Sequence, residues 1–238
     1  MNSSTETLQA ALDYRFRDER WLQRALTHRS AAHDNNERLE FLGDALLNLV
    51  VADVVFHDYP KLPEGDLSRL RAALVRESSL AEIARTLTLG EHVQLGAGEL
   101  RSGGFRRDSI LADTLEALIG AVFLDGGFDA ARSLCLHLLK GPLAELPDPA
   151  QLKDAKTRLQ EFLQARSRPL PDYQVVTEEG PAHRRHFAVN CTLGDDVLTT
   201  VGEGASRKVA EQRAAQQMLD LLERAPRPAT DQGRLDHA

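Results

Sequence analysis

The sequence predicts two domains of different class: an all-α domain over residues 5–146, then an α+β domain of order α-β-β-β-α over residues 154–223. Three observations carry this. Apolar residues recur at helical spacing almost throughout 5–144, and no segment there alternates as a strand does. Leu146-Pro147-Asp148-Pro149-Ala150 then sets two prolines among small and polar residues. Proline lacks a backbone donor and disfavours helix in the residue before it, so a linker is expected over 147–153. Beyond it, three short segments of period two lie between two helical ones.

In the first domain, helices are expected near 5–13 and 18–28, and a long one over 36–57 begins after Asn35-Asn36. Two more fit 64–75 and 78–88, followed by a glycine-rich loop at 96–104. The last two, 108–124 and 128–144, are parted by Asp125-Gly126-Gly127. In the second domain a helix is expected at 154–166. Tyr173–Thr177, Phe187–Leu193 and Val197–Val201 read as strands, with turns at Glu179-Gly180-Pro181, Gly194-Asp195-Asp196 and Gly202-Glu203-Gly204. Hairpin-length connections make the sheet antiparallel. A final helix over 206–223 opens at Ser206, an N-cap residue whose hydroxyl can accept a free backbone N–H. Residues 224–238, with two prolines and few apolar residues, read as a disordered tail.

The 238 residues carry 29 basic and 36 acidic side chains, a net charge of −7. All of the excess lies in residues 1–150, with 16 basic and 23 acidic; residues 151–238 hold 13 of each. An acidic domain is a poor polyanion binder on charge alone, so its acids serve either solubility or a cluster that a cation neutralises. No uncharged run approaches the roughly 20 residues of a membrane span. No basic-then-apolar leader opens the chain, so a cytoplasmic protein is expected. Two distant cysteines, Cys135 and Cys191, support neither a disulfide framework nor a structural zinc site.

Placement of the acids is more telling than their number. Glu37, Glu40 and Asp44 share one face of the long helix, a stripe that Asn48 continues, yet from Leu39 to Ala52 only Glu40 and Asp44 are charged. The helix around Ile110–Leu124 repeats the feature with Asp113 and Glu116. Carboxylates on helices this apolar must be paired, protonated or bound to metal. If the two helices pack together, four carboxylates converge and need a cation, and all-oxygen ligands favour Mg²⁺ or Mn²⁺ over zinc. Such a cluster suits phosphodiester hydrolysis; a structural cation site and a buried acid network are the alternatives. Neither helix carries the ExxH motif of an oxygen-activating di-iron site. The loop Gly96–Gly104 lacks a GK[ST] ending and follows no strand, so no nucleotide cofactor is expected, although Arg101, Arg106 and Arg107 bring phosphate contact within reach. His28 has no histidine at metal-ligand spacing and reads as structural.

The stretch Asn36–Leu47, NERLEFLGDALL, resembles the signature of the bacterial ribonuclease III family. Leu26–Ser30 (LTHRS), Glu64–Ser68 (EGDLS) and Ile110–Ala117 (ILADTLEA) are similar to further blocks of that family in the same order, and the resemblance spans residues 5–222. It implies a Mg²⁺-dependent endonuclease, with Mn²⁺ substituting, that cuts both strands of double-stranded RNA. It also implies 5′-phosphate and 3′-hydroxyl ends with a short 3′ overhang, and ribosomal RNA precursors and structured messenger RNAs as substrates. By the same resemblance Glu40, Asp44, Asp113 and Glu116 match metal-binding acids, and Glu37 and Glu64 match two further acids of the cleavage centre. The family is homodimeric, and Phe41 stands where it has an apolar dimer contact; ordinary core packing is the other reading of that residue.

The α-β-β-β-α region resembles a double-stranded RNA-binding domain. A-form RNA buries its bases in a deep, narrow major groove, so such a domain reads shape, 2′-hydroxyls and phosphates over about 16 base pairs. The resemblance puts Thr157, Gln160 and Gln164 at one minor groove, His183 at the next, and Arg207 and Lys208 at the phosphates between. Each could instead be ordinary surface. Glu211 stands where many such domains are basic, so weak isolated binding with strong salt sensitivity is expected. The main rival to a nuclease is a non-catalytic RNA-binding regulator on the same fold.

Overall fold

The computed structural model describes residues 3–146, 152–181, 184–194 and 198–224. These form two compact units that divide between Leu152 and Lys153. The expected linker residues 147–151, the tail residues 225–238, His183 and Asp195–Val197 lie outside the described residues.

The first unit is helical. Its helices are α1 (Ser3–Ala11), α2 (Glu19–Ala25), α3 (Glu37–Asp58), α4 (Glu64–Val75), α5 (Glu77–Thr86), α6 (Ala97–Arg101), α7 (Asp108–Gly126) and α8 (Phe128–Ala144). Helix α7 is the hub. Eleven of its residues are buried, from Ile110 to Val122, because nearly every position is apolar and neighbours pack on several sides. Helix α3 buries one face, with Leu39, Leu46, Leu47, Val50 and Val51 in the same core. Its other side leaves Phe41 (80% exposed), Leu49 (55%) and Phe56 (64%) in solvent, and helical spacing puts all three on one flank. The glycine-rich segment is more ordered than the sequence suggests. It folds as α6 and a 3-10 turn at Gly104–Arg106, and Gly96 lies so close to the Ser30 carbonyl that a Cβ would come within 2.2 Å of it.

Asp125, at the end of α7, ties the N-terminal segment down. Its carboxylate accepts the Tyr14 hydroxyl at 2.7 Å and the backbone N–H groups of Arg17 and Asp18 at 2.8 and 2.9 Å. Burial alone would raise the carboxyl's pKa, but these donors outweigh it and hold it below the usual range. Burial and the facing carboxylate push the Tyr14 hydroxyl up to about 12. Asp125→Ala is expected to cost about 1–3 kcal/mol, because two backbone donors lose their acceptor. A depressed carboxyl stabilises the fold above its unfolded pKa and loses that contribution as pH falls through the folded one. Thermal melts should therefore show a deficit of several degrees at pH 7 that closes in acid; equal melting at pH 7 would refute the role.

The second unit has helix α9 (Ala155–Gln164), strands β1 (Asp172–Glu179), β2 (His186–Leu193) and β3 (Leu198–Gly204), and helix α10 (Arg207–Arg224). The sheet is antiparallel in order β1-β2-β3, with a register shift between Val175 and Thr177. Leu159 and Leu163 of α9 and Ala214, Ala215, Met218 and Leu219 of α10 cover Cys191 and Leu193 on one face. The third strand runs past its expected end. Gly202 and Gly204 pair with Val189 and Phe187 because α10 crosses directly over them; a Cβ on Gly202 would lie 2.1 Å from the Ala210 carbonyl oxygen. Asp154 caps α9 by accepting the Thr157 N–H at 3.0 Å, and the Ser206 hydroxyl caps α10 by accepting the Val209 N–H at 3.3 Å. Cys135 and Cys191, one in each unit, are both free and fully buried. No described helix is long and apolar enough to cross a membrane.

Candidate active site

Two glycines set the geometry. Helices α3 and α7 cross at Gly43 and Gly120, where the backbones nearly touch. A Cβ on Gly43 would lie 1.8 Å from the Glu116 carbonyl oxygen, and one on Gly120 would lie 2.2 Å from that of Leu39. Glu40 stands three residues before Gly43, and Glu116 four before Gly120, so the closest approach brings the acidic faces together. One carboxylate oxygen from each of Glu40, Asp113 and Glu116 lies within 4.8 Å of the others.

Without a counter-charge such a group cannot stay fully ionised. Burial, then Asp44, Asp113 and Glu40, push the Glu116 carboxyl up to about 8. Glu40 is raised by burial and by Asp113 and Glu37, with Arg29 offsetting part of this. Asp113 is raised by burial and by Glu77, with His28 and Arg29 opposing. Three carboxylates with no thiolate or imidazole among them form a hard, all-oxygen donor set, and an Mg²⁺-sized cation supplies the charge that it lacks.

The other expected acids are placed differently. Asp44 stays outside the tight group; its Oδ1 accepts the Asn48 amide at 2.8 Å, although its charge still reaches Glu116. Glu37 borders the cleft and pairs with Arg29 at 3.4 Å. Glu64 accepts the Ser68 hydroxyl at 2.7 Å on the exposed start of α4 and is not among the residues that line the cleft. Sequence reasoning missed Glu77, whose charge acts on Asp113; Arg107, which the sequence put within reach of phosphate, lines the cleft and pairs with Glu99 at 3.1 Å. It also read His28 as structural, whereas the ring lines the cleft beside Asp113. No periodicity could have found these, because they reach the site from different elements.

In the second unit Gln160 and Gln164 are exposed one turn apart on a flank of α9, about 100° round the helix from the buried Leu159 and Leu163. The Thr157 hydroxyl donates to Asp154 at 3.1 Å. Arg207 and Lys208 are exposed at the start of α10. Glu211 is nearly buried and accepts Lys156 Nζ at 2.7 Å and Arg207 Nε at 2.8 Å. It ties α9 to α10 and draws two cations to itself. Burial, which raises its pKa, is outweighed by these two partners.

Comparison with known proteins decides the family. Residues 18–143 match the model described as Ribonuclease-III-like, and residues 155–222 match the double-stranded RNA binding motif. The curated Ribonuclease 3 of Thiobacillus denitrificans is 56% identical over 91% of this chain and 96% of its own length. That of Shewanella amazonensis is 54% identical over 89% and 93%. The chain belongs to the ribonuclease III family. The fold agrees: the nuclease domain of a Campylobacter jejuni ribonuclease III is 50% identical, covers 57% of this chain and 96% of its own, and superposes with a TM-score of 0.56. The structure of that relative describes a region involved in dimer formation. As a ribonuclease III the chain is an endoribonuclease, with a helical nuclease domain followed by an RNA-binding motif. Its Glu40, Asp113 and Glu116 form a group able to hold a metal ion.

Proposed function

We propose that the chain is a Mg²⁺-dependent endonuclease of double-stranded RNA, acting as a cytoplasmic homodimer. Its substrates are ribosomal RNA precursors and structured messenger RNAs. Its products carry 5′-phosphate and 3′-hydroxyl ends with a short 3′ overhang. The observation that carries this reading is the convergence of Glu40, Asp113 and Glu116 at the α3–α7 crossing. In it, these three acids and Asp44 hold Mg²⁺ or Mn²⁺, and Glu37 and Glu64 complete the cleavage centre.

When bound, the cation would neutralise developing charge on the phosphate and lower the pKa of a nearby water, so that its deprotonated form could attack. The chain's own groups do the rest. The carboxylates fix where positive charge sits, and the apolar walls of α3 and α7 keep the cluster partly desolvated, which strengthens each electrostatic contact. Arg29 and Arg107 border the acids and offset their repulsion of the phosphate backbone. Residues 5–146 form the catalytic domain. Residues 154–223, joined through a linker at 147–153, hold the duplex through Thr157, Gln160, Gln164, His183, Arg207 and Lys208. The exposed flank of α3, with Phe41, Leu49 and Phe56, is the surface that a second copy covers. Two centres on opposite strands would make the staggered cut.

An end-labelled perfect RNA duplex tests this. Staggered products are expected with Mg²⁺ or Mn²⁺, and intact bound duplex with Ca²⁺, whose larger, looser coordination suits binding better than in-line attack. Binding without cutting in all three would favour the RNA-binding regulator and refute the nuclease.

A further inference from the structure

One motif, Leu26–Ser30, is left unused by the metal cluster and by the RNA-binding face. Its backbone is fixed at several points. His28 N–H donates to the Gln94 carbonyl at 3.0 Å, Gln94 N–H donates to the Leu26 carbonyl at 2.7 Å, and Asn36 N–H donates to the Thr27 carbonyl at 2.9 Å. Gly96 packs against the Ser30 carbonyl at a distance only glycine allows. The His28 ring is fixed as well. Its Nδ1 receives the Ser30 backbone N–H at 3.2 Å and lies 2.8 Å from the Ser30 hydroxyl, which itself accepts the Gly96 N–H at 2.9 Å.

These contacts settle which nitrogen carries the proton. A backbone N–H can only donate, so Nδ1 must present its lone pair. The Ser30 oxygen is occupied as an acceptor by Gly96, which leaves its hydrogen free for the same Nδ1. In its neutral form the ring therefore carries its hydrogen on Nε2. Among the described residues Nε2 has no hydrogen-bond partner, while the ring borders the cleft with Glu40 and Asp113. The two cations beside it are engaged, Arg29 with Glu37 and Arg107 with Glu99. A rigidly held, unspent donor beside an acidic cluster suits a group that brings its own negative oxygens.

We infer that His28 is a substrate-contacting residue of the cleavage centre, its Nε2–H donating to a non-bridging oxygen of the RNA phosphate in the cleft, with Ser30 and Gly96 holding the ring in that tautomer. This rests on the acids of α3 and α7 being the cleavage centre. It adds a hydrogen-bond donor to a cleft lined by carboxylates. Such a donor binds the pentacoordinate state, where oxygen charge is greatest, better than the ground state.

Two substitutions separate the ring's two nitrogens. His28→Asn places an amide near Nδ1 and leaves nothing at Nε2; His28→Gln places an amide near Nε2. The full chain is assayed on end-labelled duplex RNA with saturating Mg²⁺ in single turnover, alongside duplex affinity in Ca²⁺ and thermal melting. Imidazole ¹⁵N shifts are recorded on the metal-free protein. The expected spectrum is the Nε2–H tautomer, kept in Ser30→Ala because the backbone N–H of residue 30 still faces Nδ1. His28→Asn should slow cleavage about 10²-fold with duplex affinity and melting temperature near wild type, and His28→Gln should recover most of the rate. An Nδ1–H tautomer, wild-type cleavage by His28→Asn, or equal losses in both variants that track their melting temperatures would each overturn the inference. A Glu116→Gln control run in parallel separates the two levels: if it still cuts, the centre itself is misplaced, whatever His28 does.

Discussion

Glu116→Gln is expected to lower duplex cleavage by on the order of 10³-fold or more, since losing one of three converging carboxylates removes several kcal/mol of charge stabilisation at the phosphate. Duplex binding in Ca²⁺ should stay within a few fold, because the double-stranded RNA binding motif lies in the other domain. The same variant makes a second prediction of opposite sign for stability. With metal chelated, the Glu116 carboxyl is raised from 4.5 to about 8, so the folded state binds that proton more tightly than the unfolded chain. Stability therefore falls as pH rises from roughly 4.5 to 8, and the full penalty persists above that window. Glutamine has no proton to lose. Discounted for partial exposure, the gain is about 1 kcal/mol, or about 2–4 °C in melting temperature. Glu116→Gln should thus melt higher than wild type at pH 8.5 in chelator and nearly alike at pH 5. A variant that cuts normally would sink the site assignment; one that melts lower at pH 8.5 would sink the electrostatic account of it.

The largest structural effect is expected from Gly43→Ala. The added methyl carbon would lie 1.8 Å from the Glu116 carbonyl oxygen and 2.6 Å from its carbon. Both are backbone atoms, so no side chain can swing aside and the helices must part. Overpacking in a core costs about 1–3 kcal/mol, and a clash with main chain belongs at or above the top of that range. That corresponds to a loss of about 10 °C in melting temperature for a chain of this size, together with cleavage, because the parting separates Glu40 from Glu116. Gly120→Ala should behave alike. Gly141→Ala is the control: nothing lies within 4 Å of its added carbon, and it sits within α8. That change should be neutral or stabilising by about 0.5–1 kcal/mol. If Gly43→Ala melts like Gly141→Ala, the helices do not cross so closely.

The two-domain architecture is legible from periodicity and from one proline-bearing boundary, and the structure and the family matches bear it out. The acidic pairs are legible too, because a carboxylate isolated on an otherwise apolar helix is conspicuous. What brings them together is not. Gly43 and Gly120 each weaken a helix interior, and an interior glycine points to close backbone approach, but only the folded chain shows which helix approaches which. His28 shows the limit clearly. Counting histidines at ligand spacing makes it structural, while its bonds to Ser30 and its place at the cleft arise from a loop anchored on Gln94 and Gly96, more than 60 residues away. Gly202 and Gly204 mislead in the opposite direction: glycines that read as a strand's end lie within the strand, because a helix passes over them.

The placement of the cysteines has a practical consequence. Each domain encloses one thiol with no surface in contact with solvent. Burial pushes Cys135 up to about 12, and Cys191 is raised as well, chiefly by burial. At neutral pH neither forms the thiolate that alkylating reagents attack. The native molecule is therefore a silent background for sulfur chemistry. One cysteine introduced on each domain's surface gives a pair of labels that report the distance between nuclease and RNA-binding halves, free of native signal, before and after duplex is added.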